Sequence, residues 1–279
     1  MPDIALRHVR LRVDDHDGPS ATAPAIVLIH GWACDRSDWD DLVPRMTHHA
    51  RVIALDLRGH GASADGPGYL LGDVSGDVTE VLQRLDARAV VLVGHSAGAE
   101  VAIAAAEADH AFGGGRVRAV VAVDPAYGFA ADSRTAVGEI IAAMRAGDPR
   151  QVAADYFARL DDPSTTSLDL AARHQALARR SRPAATSAMF HGFAFGPDSI
   201  HFRPDTDRAH ARRRVPLFAV YRNEERGAAG REFAVRPGDR VEVYQGSGHW
   251  PHQDRPDRFA ADLLGWLDTL AEVDGGWAR

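Results

Sequence analysis

Lysine is absent from this chain: all 32 of its basic residues are arginine. That absence excludes Schiff-base chemistry, a lysine-held pyridoxal phosphate and the phosphate-binding lysine of a P-loop. Cysteine occurs once, at Cys34, so no intrachain disulfide is possible and no cysteine–histidine pattern suggests zinc. The expectation is a protein with no metal and no cofactor. Cys34 follows an apolar run but lacks a glycine elbow of its own, and it reads as a buried spectator rather than a nucleophile. Long hydrophobic runs are missing too. Residues 1–8 contain no apolar core of signal-peptide length, and no stretch is long enough to span a bilayer. A cytoplasmic protein without a membrane partner is expected. A net charge of -7 argues against nucleic acid as a partner. The densest basic cluster, Arg212-Arg213-Arg214, reads as a solvated loop.

The 279 residues, 45% of them hydrophobic and 25% charged, suit one large globular domain with an insertion. Continuous apolar runs at 25–29, 51–56, 90–93, 117–123, 215–221 and 240–244 have the character of strands covered on both faces. Helical spacing appears at 70–85, from 97 to about 108, and at 257–270. The stretch 4–13 alternates as an edge strand would. Residues 37–48 read as a helix with Ser37 as N-cap and a break at Pro44. Strand alternating with helix predicts an α/β fold with a doubly wound, mainly parallel sheet. Between 126 and 214 that rhythm stops, and 137–144, 152–160 and 168–177 are helical by pattern. The expected organisation is a core in two parts, 1–126 and 215–279, with a helical cap at 127–214 lying over the strand ends.

The chemistry concentrates at Gly94-His95-Ser96-Ala97-Gly98. An apolar β-branched strand stops at a glycine, a serine sits between two glycines, and an alanine-rich helix follows. This is the G-x-S-x-G nucleophile elbow in its required context of strand, turn and helix. Gly94 and Gly98 are needed because a Cβ at either would meet the adjoining strand or helix. Ligands in open α/β sheets bind at the carboxyl ends of strands. There stand His30, Ser96, Asp124 and the loop after Tyr221, and His249 follows the last strand on a glycine-rich loop. A histidine so placed can reach a serine hydroxyl and act as general base, then general acid.

Taken together, His30-Gly31-Trp32, the loop Asp56 to Ser63, the elbow around Ser96 and Gly248-His249-Trp250-Pro251 resemble the α/β-hydrolase superfamily across about residues 25 to 270. The cap carries no motif that matches. The resemblance implies an oxyanion hole made by the backbone N–H groups of Trp32 and Ala97. It also implies that Asp56, Arg58 and His60 form a hydrogen-bonded scaffold. For the triad acid it offers two places. One follows the strand 217–221, where Gly-x-x-Asp is usual and this chain has Arg222-Asn223-Glu224-Glu225, with Arg222 and Arg226 placed to pair the glutamates at the surface. The other is Asp124, at the end of the preceding strand. Asp124 is preferred over Glu225. A catalytic set of Ser96, His249 and Asp124 implies ester or lactone hydrolysis through an acyl-enzyme. Cofactor-free perhydrolysis, C–C bond hydrolysis and a binding-only receptor remain as alternatives. The aromatic segment 189–196 is a candidate apolar wall, although ordinary packing is the expectation for at least two of its three phenylalanines.

Overall fold

The computed structural model describes residues 3–19, 24–84 and 89–274. Seven strands form the main sheet: β1 (Val13–His16), β2 (Ala25–Ile29), β3 (Arg51–Leu55), β4 (Val90–His95), β5 (Val117–Val123), β6 (Leu217–Tyr221) and β7 (Arg240–Val243). Their order is β1-β3-β2-β4-β5-β6-β7. Only β1 is antiparallel to its neighbour.

The composition of the strands explains their burial. Side chains alternate across a sheet with period 2, so an apolar run without interruption serves two cores. Ile26, Leu28, Val52, Val91, Val93 and Phe218 face one core, where Trp39, Phe259 and Trp266 cover them. Val27, Ile29, Ile53, Leu92, Val120 and Ala122 face the other, under helices α1 (Leu71–Arg84) and α2 (Ala97–Ala111). Helix α9, spanning Pro256–Asp274, belongs to the first of these layers. The predicted end of α1 at Leu85 lies outside the described residues.

Two local expectations change. The stretch 4–13 is not the sheet's edge strand. Ile4–Ala5 and Arg10–Leu11 pair with each other as a small antiparallel ribbon, closed by the Leu6 N–H donating to Val9 O at 2.8 Å. The edge strand is β1, which begins where the first ends. The expected helix over 37–48 is a 3-10 turn, Arg36–Trp39, followed by a short helix, Val43–Met46. Its N-cap is Asp35, whose carboxylate accepts from the Ser37 N–H. Pro44 sits in the first turn of the second piece, where its missing N–H is not needed.

Between β5 and β6 the chain makes five helices: α3 (Arg134–Ala146), α4 (Pro149–Ala158), α5 (Leu168–Arg180), α6 (Pro183–Phe195) and α7 (Asp205–Arg212). The last two are not apparent from periodicity. Helix α6 is almost uniformly small or apolar, with Ala185, Thr186, Met189 and Phe193 buried, so it carries no amphipathic stripe. Helix α8, over Glu224–Arg231, follows β6.

The two elbow glycines are fixed by close approach. A Cβ on Gly94 would lie 2.1 Å from Gly98 O, and one on Gly98 would lie 2.3 Å from Ile29 O. Both obstacles are backbone and cannot turn aside. Gly98→Ala should therefore destabilise the protein by about 3 kcal/mol. Gly76→Ala, in α1 with nothing within 4 Å of the added atom, should stabilise it by about 0.5–1 kcal/mol. Urea midpoints of the two variants check the contrast.

Candidate active site

Ser96 ends β4 and begins α2 with φ 52° and ψ -118°. Positive φ strains any residue with a Cβ, and here the strain is held by the surroundings. The Ser96 N–H donates to Val123 O at 2.9 Å, and its carbonyl accepts from Ala126 N at 3.1 Å. Asp124, one residue past β5, also has positive φ, at 37°. Its N–H is bound to Val220 O at 2.7 Å. Both residues are thus tied to adjacent strands at the carboxyl edge of the sheet.

His249 Nδ1 lies 2.5 Å from Asp124 Oδ2. Glu225 sits exposed in the first turn of α8. Of the two candidate acids, the structure brings Asp124 to the histidine. The second Asp124 oxygen accepts from the Arg222 N–H at 3.3 Å. A carboxylate only accepts, so the neutral imidazole carries its proton on Nδ1 and leaves Nε2 as a base. Burial is the largest influence on His249 and brings its imidazole down to about 4, against the upward pull of the Asp124 carboxylate. Burial by itself would raise Asp124, but the His249 hydrogen bond and the charges of His249, Arg222 and Arg226 hold it below the usual carboxylate range. At neutral pH the pair is a carboxylate beside a neutral imidazole.

Behind His249 is a buried polar layer that sequence reasoning missed. His95 Nε2 donates to His249 O at 2.8 Å, and His95 Nδ1 is 3.2 Å from Asp38 Oδ2. Gln253 Nε2 donates to Asp38 Oδ1 at 2.7 Å. Asp38, His95 and His252 place potential metal-ligand atoms within 4.8 Å of one another. Asp38 and His95 are also joined to each other, and His95 to the carbonyl of His249, by the hydrogen bonds just described.

Trp32 lies in a tight turn after β2, closed by Cys34 N–H donating to Gly31 O at 3.2 Å. That turn runs against Ser96, since a Cβ on Gly31 would be 3.3 Å from Ser96 Cβ. Among the described residues neither the Trp32 nor the Ala97 backbone N–H has an acceptor. Ala97 is the first residue of α2, where N–H groups lack intrahelical partners. The Trp32 indole Nε1 donates to Thr186 O at 2.7 Å, and its ring meets Phe190 at 4.6 Å. The elements between β5 and β6 are thereby pinned to this turn. Cys34 is buried and makes no part of the cavity wall.

Ser96, Ala97, Trp32, Asp124 and His249 all line one cavity of about 290 Å³. Its remaining wall is mainly apolar and comes from the helices between β5 and β6, including Val137, Ile140, Leu160 and Met189. Phe190 and Phe193 face the cavity while Phe195 is partly exposed, so two of the three phenylalanines do more than ordinary packing. Asp56, Arg58 and His60 do not line it. Asp56 accepts from Arg36 N and Ala62 N at 2.7 Å each. Arg58 makes a two-pronged buried pair with Asp77, and His60 Nδ1 bonds to Arg58 O at 2.9 Å.

Polar residues not foreseen from sequence also line the cavity. Glu100 is buried one turn beyond Ser96, with His201 Nδ1 at 3.2 Å from its Oε1. The i, i+4 spacing from Ser96 was the available signal. Arg222 and Arg226 line it as well. They do not pair with Glu224 and Glu225 as expected. The Glu224 carboxylate is taken by Arg231, because α8 starts at Glu224 and carries its side chain away from the strand end.

No helix among the described residues is long and apolar enough to cross a membrane. A family model described as "Alpha/beta hydrolase family" matches residues 26–262. An sn-1-specific diacylglycerol lipase of Mus musculus, ABHD11, is 26% identical over 276 residues, covering 94% of this chain and 86% of the lipase. Two solved structures share the fold. A thermophilic esterase from Thermogutta terrifontis superposes with a TM-score of 0.81 at 21% identity, over 96% of this chain and 99% of its own. An enol-lactonase from Burkholderia xenovorans LB400 gives 0.79 at 20% identity, over 96% and 100%. With the family model covering most of its length, and its sheet and elbow built as described, this chain belongs to the alpha/beta hydrolase family.

Proposed function

We propose that this chain is a serine hydrolase that cleaves a carboxylic ester or lactone of a hydrophobic small molecule. The observation that carries the reading is the hydrogen-bonded Asp124–His249 pair facing the same cavity as a strained, helix-capping Ser96. In this reading His249 Nε2 takes the Ser96 proton as Oγ attacks the carbonyl carbon. The resulting oxyanion is held by the Trp32 and Ala97 N–H groups, which are preorganised for charge that develops only in the transition state. Collapse breaks the ester C–O bond, and the departing alkoxide takes the proton from His249. Water then attacks the acyl-enzyme with His249 again as base, releasing the acid and restoring Ser96. Residues 127–214 act as the cap, whose apolar wall receives the hydrocarbon part of the substrate. The esterase, lactonase and lipase among its relatives support this substrate class.

Incubation with a fluorophosphonate should attach one phosphonyl group at Ser96, found by peptide mass spectrometry, and should block turnover of aryl esters and lactones. No adduct, with no turnover across such a panel, would overturn the reading.

The acid limb of kcat/KM follows from the buried base. Protonating His249 removes the base, and its imidazole is held near 4, below the ordinary 6.5 or so. Activity should therefore stay level as pH falls from 7 to about 5 and halve only near 4. A midpoint at or above about 6 would show that a different group, or a solvated histidine, governs the step.

A further inference from the structure

We propose that Arg222 and Arg226 form a carboxylate-binding subsite in the active-site cavity, so that the natural substrate is an ester or lactone bearing a separate carboxylate. This rests on the hydrolase reading for the words ester and lactone, but not for the anion itself.

Arg58 and Arg213 are buried, and each is matched by a two-pronged carboxylate of the chain itself, Asp77 and Asp239. The two cavity arginines are not matched in this way. Arg222 Nη1 lies 3.2 Å from Asp124 Oδ2, an oxygen that His249 also engages, yet this nitrogen is buried without an aligned hydrogen bond. Among the described residues the Arg222 side chain makes no hydrogen bond to the protein. Arg226 uses Nη2 on the carbonyls of Pro125 and Tyr127, at 2.7 and 2.9 Å. Its guanidinium lies 4.3 Å from the Phe129 ring centroid, and no acceptor engages Nε or Nη1 among the described residues.

Charge points the same way. The other acidic side chain in the cavity wall, Glu100, faces His201. Glu224 is held by Arg231, and Glu225 is exposed on α8. Two guanidinium ions thus share a largely apolar cavity with two carboxyl groups, Glu100, which faces His201, and Asp124, which is bound by the proposed base and lies beside Arg222. Unspent guanidinium donors in a low-dielectric wall favour a planar oxyanion that can take two N–H groups at once. The apolar surface of Val137, Ile140, Leu160 and Met189 suits the hydrocarbon chain that joins the carboxylate to the scissile bond. The ligand class is accordingly an amphiphilic half-ester, such as the monoester of a dicarboxylic acid.

The test compares monomethyl half-esters of dicarboxylic acids, in steps of chain length, with methyl alkanoates of equal heavy-atom count. The ratio of their kcat/KM values is the readout, so a general loss of activity cancels. For the wild type the best half-ester should exceed its neutral counterpart by about tenfold or more. Arg222→Gln and Arg226→Met should each bring that ratio to within about threefold of one. Arg226→Met also removes two carbonyl contacts, so Arg222→Gln carries the test if the other variant fails to fold. In parallel, calorimetry on Ser96→Ala and on Ser96→Ala/Arg222→Gln reads binding of the same pair without turnover. Equal kcat/KM for the pair in the wild type, with equal affinities in Ser96→Ala, overturns the subsite. Selective half-ester binding that Arg222→Gln abolishes, with no turnover of any ester, upholds the subsite and overturns the hydrolase reading instead.

Discussion

Ser96→Ala is expected to lower kcat by about 10⁶ on any ester the wild type turns over, because removing a triad nucleophile leaves only binding and oxyanion stabilisation. The substitution is a clean one. Ser96 makes no side-chain capping hydrogen bond to α2, and its backbone is held by Val123 and Ala126 rather than by its hydroxyl. Fold and cavity should therefore survive. Alanine inherits the same positive φ, so a small loss of stability is expected without unfolding. KM, or the affinity for an unreactive analogue, should change little. Wild-type-like turnover in this variant would show that the nucleophile lies elsewhere.

Asp124→Asn should cost about 10⁴ in kcat, by the effect of presenting the wrong partner to the imidazole. An asparagine amide can donate to Nδ1, which leaves the proton on Nε2, where a base is required. The position tests this well, because Asn is among the few residues that accept a backbone like that of Asp124, at φ 37°. Glu225→Gln, on the exposed first turn of α8, should leave kcat within about twofold, as surface substitutions generally do. If Glu225→Gln caused the collapse and Asp124→Asn did not, the acid would have been assigned to the wrong strand end. Measuring both in the folded state, checked by circular dichroism, separates catalysis from stability.

The sheet was legible because its strands are unbroken apolar runs, and such runs have few ways to be buried. That Ser96, His249 and Asp124 would meet at one cavity was legible because two stand at strand ends and one on the loop after the last strand, beside residues whose geometry is restrictive: two glycines, an Asp-Pro step and a glycine-rich loop. What failed to show depends on direction rather than on residue type. Arg222 and Arg226 look like surface charges until the start of α8 is known, since the helix turns Glu224 toward Arg231 and leaves both arginines on the cavity wall. The layer of Asp38, His95, His252 and Gln253 is spread over three separated segments, and no local pattern joins them. Helix α6 hid for the opposite reason. With apolar or small residues on most of its faces, it has no periodic stripe to detect.

The turn holding Trp32 and the loop holding His249 are both fastened to the segment between β5 and β6. The indole Nε1 donates to Thr186 O on α6 at 2.7 Å, and the His249 backbone N–H donates to Leu160 O, just past α4, at 2.9 Å. The proposed oxyanion donor and the proposed base are thus each tied to a different part of the segment between β5 and β6. Any displacement of these helices would have to break both hydrogen bonds or carry the Trp32 turn and the His249 loop along. The position of the cavity roof and the position of the two loops beneath it are therefore one variable rather than two.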